Sequence, residues 1–184
     1  MKFISACILL LFLSGCSESR EIDAGTELRS KLLQASGCSF SMDAVVDSGQ
    51  HRFRFSMDCT ADQQGSVRFT VTEPETISGI SGTLSAEGGA LTFEDTVLDF
   101  SFWAEEQLSP VSGPWILLHT LRSGYITSAC REEDSIRLTI DDTYQNESLH
   151  IDIWLDPENL PEHADILHNG RCILSLDVRN FTIV

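Results

Sequence analysis

The sequence predicts a mainly β, α+β domain: one antiparallel sheet with helices packed on its apolar face. Three observations carry this. Apolar and polar residues alternate with period two through many segments, the pattern of strands buried on one side. Short turns join these segments in succession, which makes an antiparallel meander. Two segments break the alternation with helical spacing, and an apolar helix has to cover a sheet face. The 42% hydrophobic and 22% charged content, with only 5 prolines, suits one packed domain rather than disorder.

Residues 21–35 open the folded part as a helix. Ile22, Leu28, Leu32 and Leu33 form its loose apolar stripe, and Ser36-Gly37 ends it. Next, Cys38, Phe40, Met42, Ala44 and Val46 alternate with smaller or polar residues. After DSGQ, Phe53, Phe55, Met57 and Cys59 repeat the pattern behind His51. A turn over 47–50 makes a hairpin that pairs Cys38 with Cys59, Phe40 with Met57, Met42 with Phe55, Ala44 with Phe53 and Val46 with His51. Every apolar residue then shares one face, as a defined register demands. The same register predicts a Cys38–Cys59 disulfide at the hairpin's open end. Two buried thiols are the alternative.

A strand over 66–72 follows, with Val67, Phe69 and Val71 on one face and Glu73-Pro74 closing it. Segments 79–87 and 90–95 read as strands around a Gly88-Gly89 turn, with 98–102 as another. The texture changes at Leu108. Trp115, Ile116, Leu117, Leu118 and Leu121 place a second helix over 114–122, with a proline in its first turn. Strands return at 125–130, 136–141, 148–155, 162–167 and 171–177, the last continuing toward Ile183. Asn169-Gly170 marks a hairpin turn between the final two.

The chain begins MKFISACILLLFLSGCSESR. Lys2 precedes an uncharged apolar run over 3–13, short of the roughly 20 residues a helix needs to span a bilayer. This is a secretory signal, and Leu13-Ser14-Gly15-Cys16 resembles the lipobox of bacterial lipoproteins. That resemblance implies removal of residues 1–15 and lipidation of Cys16. Residues 16–21 are then the lipidated cysteine and a short tether, and 22–184 a single domain. Stable anchoring takes at least two acyl chains. The expected location is a bacterial cell membrane, on the extracytoplasmic side. There, Cys38, Cys59, Cys130 and Cys172 are free to form disulfides, with Cys130–Cys172 as the second pair by remainder only.

The net charge of −16 repels phosphate backbones and anionic headgroups, so nucleic acid is excluded as a partner and attachment to the membrane rests on the lipid. No phosphate loop, nucleotide fingerprint or G-x-S-x-G elbow occurs. His150, Asp152, His163 and Asp165 share one face of a predicted hairpin. Cross-strand His–Asp pairs explain them better than a metal site does. The acidic turn Glu132-Glu133-Asp134 lacks calcium-loop spacing. The reading is therefore a non-enzyme with neither cofactor nor metal.

Three stretches carry a family resemblance. They are SVRFTVTEPETISGISGTLSAEGGALTFED, LSPVSGPWILLHTL and LHIDIWLDPENLPEHADILHNGRCILSLDVRNFTI. In this order they resemble the LolA-like outer-membrane lipoprotein carriers, over most of 36–183. The resemblance implies a strongly curved half-barrel around an apolar cavity lidded by helices. It also implies a ligand: an acyl chain, a lipid or a lipidated polypeptide. Lipoproteins of Gram-positive and spore-forming bacteria share the fold, and some resemble germination regulators. A structural or regulatory lipoprotein acting on an envelope protein partner is thus the second reading. The expected cavity wall is Phe40, Met42, Phe53, Phe55, Met57, Val67, Phe69, Val71 and Phe93, with Trp115, Leu117 and Leu118 in the lid. A filled core with no ligand space is the alternative.

Overall fold

The computed structural model describes residues 18–47, 49, 52–93, 96–101, 103–104, 107–144 and 147–184. The signal segment, Cys16, His51 and Phe102 lie outside the described residues. Helix α1 spans Glu18–Gln34. Six strands follow: β1 Gly37–Asp47, β2 Arg52–Asp62, β3 Val67–Glu73, β4 Ser81–Ser85, β5 Gly88–Phe93 and β6 Thr96–Phe100. A small ribbon, β7 Trp103–Ala104 with β8 Gln107–Leu108, leads to helix α2, Gly113–Ser123. Five more strands complete the chain: β9 Tyr125–Glu132, β10 Ser135–Tyr144, β11 Glu147–Leu155, β12 Pro161–His168 and β13 Arg171–Ile183.

Eleven strands form one open antiparallel sheet in the order β6-β5-β4-β3-β2-β1-β13-β12-β11-β10-β9. Two meanders, β1–β6 and β9–β13, are joined where the first and last strands pair. Both edges, β6 and β9, are therefore far apart in the sheet, and the chain crosses from one to the other through α2. Asn169 and Gly170 both take positive φ at the last hairpin, as the two-residue turn requires.

One sheet face is apolar throughout and carries both helices. Phe40, Met42, Met57, Val67, Phe69, Leu138, Ile140, Ile151, Ile153, Ile166 and Leu176 are buried on it. From α1, Ala24, Leu28 and Leu32 pack onto this face; Leu33, expected in the stripe, is exposed. From α2, Trp115, Ile116, Leu117, Leu118 and Leu121 join the same core. The opposite face is polar. Ser41 donates to Asp58 (2.7 Å), Ser56 to Asp43 (2.6 Å) and Arg179 to Asp43 (2.7 Å). One-sided amphipathicity is what lets an antiparallel sheet bury a core on one side and meet water on the other.

Two local expectations need correction. The β1–β2 register is shifted by two residues: Cys38 faces Ala61, Phe40 faces Cys59, Met42 faces Met57, Ala44 faces Phe55 and Val46 faces Phe53. Strand β2 starts at Arg52, so the connection is two residues longer than the pairing of Val46 with His51 would require. The shift keeps every side chain on its face but separates the two cysteines. Cys38, Cys59, Cys130 and Cys172 are all free thiols in this structure. The second correction concerns Gly88 and Gly89. The turn lies two residues earlier, at Ala86 and Glu87, and both glycines belong to β5. A Cβ on Gly89 would sit 2.2 Å from the Phe100 ring, so this position serves close approach rather than chain reversal.

An open half-barrel with a filled centre and a bare wing

The concave face divides into two regions. Under the helices it is filled. Phe40, Met42, Phe55, Met57, Val67, Phe69, Val71, Trp115, Leu117 and Leu118 are all buried in one cluster. Phe40 stacks on Phe181 of β13 with centroids 5.3 Å apart. Ten of the twelve expected wall and lid residues are therefore brought together. Their side chains are almost wholly withdrawn from solvent. Phe53 and Phe93 differ: they are 54% and 53% exposed. Phe53 lies at the hairpin end of β2, and Phe93 at the end of β5.

Beyond β3 the sheet continues as a wing, β4–β6. Its inner side can be followed through the register. Val67 faces Leu84 and Phe69 faces Gly82; Leu84 faces Gly89 and Gly82 faces Leu91; Gly89 faces Phe100, Leu91 faces Leu98 and Phe93 faces Thr96. Directly opposed residues share a face. Leu91, Phe93, Leu98 and Phe100 therefore extend the apolar concave face outward. Leu98 is 62% exposed, Phe93 is open, and Leu91 and Phe100 are half-buried. Two aromatic rings lie across glycines of the neighbouring strand. A Cβ on Gly82 would sit 2.8 Å from the Phe69 ring, just as one on Gly89 would collide with Phe100. Glycine at these two positions keeps the surface smooth and apolar. Among the described residues, no helix covers this wing.

Where the wing meets α2 there is a cleft of about 300 Å³. Trp115, Leu118, His119 and Arg122 form its helical wall; the turns at 64–66 and 85–87 form the other. The Trp115 and His119 rings are stacked, 4.5 Å between centroids. His119 Nε2 also lies 3.7 Å from Asp142, which accepts a hydrogen bond from Thr120. The Glu87 carboxyl is held below its ordinary range by the Ser85 hydroxyl, so it stays charged at neutral pH.

Two arginines fasten the helices to each other. Arg29 of α1 donates to Leu121 O (2.8 Å) and Gly124 O (2.6 Å) at the end of α2. Arg122 of α2 donates to Leu32 O (3.0 Å) at the end of α1 and more weakly to Asp62 O (3.4 Å). Each helix thus satisfies terminal carbonyls of the other, where the helix dipole favours a cation. The sequence reading missed both arginines and the wing residues Leu91, Leu98 and Phe100. Alternation in the strands held the signal for the wing; nothing local announces the arginines.

On the convex face the His–Asp cluster resolves into cross-strand pairs. His150 Nδ1 lies 2.8 Å from Asp141, and His163 Nδ1 lies 2.7 Å from Asp177, each directly opposite in register. His163 also meets the Trp154 ring edge-on. Among the described residues, no group of three or more His, Cys, Asp or Glu side chains is arranged to hold a metal. The thiols divide by environment. Burial pushes Cys38 up to about 11 and Cys59 higher still, while Cys130 is exposed.

The architecture is an open antiparallel half-barrel with two helices on its concave face. No family model matches the chain, and no curated protein does. Solved structures do share the fold. An uncharacterised conserved protein from Thermus thermophilus is similar over 86% of both chains, at 8% identity and a TM-score of 0.50. A LolA superfamily protein from Nitrosomonas europaea is similar over 87% of this chain and 93% of its own, at 8% identity and a TM-score of 0.47. A domain described as an outer-membrane lipoprotein-sorting protein, from Vibrio parahaemolyticus, is similar over 86% and 90%, at 10% identity and a TM-score of 0.49. At these identities the likeness concerns the fold.

Proposed function

We propose that this chain is a lipid-anchored extracytoplasmic binding protein that shelters an acyl chain on the bare wing of its half-barrel. The observation that carries the reading is the division of the concave face. Its centre is buried, but Leu91, Phe93, Leu98 and Phe100 continue the apolar surface to the open edge, where no helix of the described residues covers it. Covering such a surface with a hydrocarbon chain gains about 0.8 kcal/mol per buried CH₂. Cys16 is the proposed attachment point. Among the described residues, no helix is long and apolar enough to cross a membrane. Among the described residues the site holds no nucleophile with a positioned base, and binding rather than turnover is the proposed activity.

The test is to purify the full-length protein from its own membranes in mild detergent and extract it with organic solvent. Wild type is expected to carry an acyl lipid in stoichiometric amount. The variant Leu98→Glu, altered on the exposed wing, is expected to lose it. Equal, sub-stoichiometric lipid in both proteins would overturn the reading. One dominant crosslinked envelope protein in place of lipid would favour a partner-binding role instead.

A further inference from the structure

We propose that the cleft beside α2 takes the anionic head of the bound chain, a carboxylate or a phosphate, on the guanidinium of Arg122. The inference rests on the acyl-chain reading and names the class of ligand: an anionic amphiphile rather than a neutral one.

Like Arg29, Arg122 stands among the described residues without an acidic partner, in an acidic chain. Its hydrogen bonds go to two backbone carbonyls, and among the described residues no carboxylate pairs with it. Its Nε is buried without any partner. The third half-buried arginine, Arg137, does face acids, meeting Glu132 and Asp152. The uncompensated charge is not remote from the proposed ligand. Arg122 lines the cleft of about 300 Å³ together with Trp115, Leu118 and His119, and its Nη1 lies against Gly65 on the facing turn. That volume is at the lower end for small-ligand sites, enough for a head group and its first carbons. The wall is mixed in the way an amphiphile needs: indole and leucine line it together with guanidinium and imidazole. Arginine presents a planar fork of donors to carboxylate or phosphate oxygens. Glu87, on the opposite wall, works against an anion and so weakens it.

The experiment uses full-length protein in nanodiscs of neutral lipid, titrated calorimetrically with decyl phosphate, decanoate, decanol and inorganic phosphate. Wild type is expected to bind the two anionic amphiphiles about tenfold or more tighter than decanol, the return from one charge-assisted bond. Arg122→Gln is expected to abolish that preference. Because Arg122 also ties the helices, Glu87→Gln supplies an independent check. It sits on an exposed turn and is expected to tighten the anions several-fold without affecting decanol. Equal binding of all three amphiphiles by wild type, or an anion preference that neither variant changes, overturns the head-group assignment while the acyl-chain reading stands. Binding of none of the three overturns both. Inorganic phosphate that binds as well as decyl phosphate makes this a free-anion site and overturns the amphiphile assignment.

Discussion

Replacing Arg29 by methionine keeps its aliphatic stem but removes both bonds to the end of α2. Those bonds run from a half-buried guanidinium to Leu121 O and Gly124 O, at 2.8 and 2.6 Å. A hydrogen bond to a charged group contributes about 1.5–3 kcal/mol. The two share one side chain, and water reaches part of the site, so the expected loss is about 2–3 kcal/mol. For a domain of this length each kcal/mol lowers the melting temperature by about 2–4 °C, so the fall is about 4–12 °C. Arg122→Met removes the reciprocal bond to Leu32 O. Because both arginines fasten the same two helices, the double variant should lose about 1 kcal/mol less than the two single losses combined. Thermal unfolding followed by circular dichroism, on both single variants and the double, measures all three. A loss below about 0.5 kcal/mol for Arg29→Met would show the carbonyls equally well satisfied by water. Strict additivity would show that the helices are not joined through a mutual clasp.

Other outcomes follow from the same geometry. Gly89→Ala should cost about 1–3 kcal/mol by overpacking against Phe100, and Phe100→Ala in the same chain should recover most of it; urea unfolding of the pair decides. Leu138→Ala, fully buried, should cost about 2–5 kcal/mol, while Leu98→Glu on the wing should change stability by less than about 0.5 kcal/mol. In reductant, the buried thiols should make stability pH-dependent at the alkaline end. Cys38 rises from 9.0 to about 11 on folding, so above about pH 9 the unfolded chain loses this proton first. Stability is then constant below that point and falls between about pH 9 and 11. Burial raises Cys172 to about 11 as well, so urea midpoints across this window should lose only part of their slope in Cys38→Ala/Cys59→Ala, and a slope unchanged by both substitutions would refute the assignment. Maleimide should label exposed Cys130 quickly and Cys38 and Cys59 only on unfolding.

Much of the sheet was readable because alternation reports faces. Phe40, Met42, Met57 and Phe69 lie where their period-two spacing puts them. Faces, however, are blind to a slip of two residues. The β1–β2 register satisfies the pattern equally well with Cys38 opposite Cys59 or opposite Ala61, and the connection around residues 48–51 decides. Gly88-Gly89 misled for a related reason. A glycine pair is a turn signal only if no ring needs its space, and Phe100, eleven residues beyond Gly89, is invisible to local reading. How deeply the helices fill the half-barrel is a matter of tertiary packing, so Met57 as cavity wall and Met57 as filled core look alike in sequence. Arg29 and Arg122 belong to the same class: each acts on a carbonyl about 90 positions away.

Helix α1 starts at Glu18, two positions after Cys16, where a short tether reaching residue 21 was expected. Seventeen residues of helix measure about 25 Å. The cleft adjoins Leu32, about 21 Å along that helix from its start. With the lipid on Cys16 that we propose, α1 becomes a strut rather than a leash. The mouth of the site then lies about 21 Å along a rigid rod from its first turn, so the distance between anchor and site is set by helix length rather than by the reach of a loose linker.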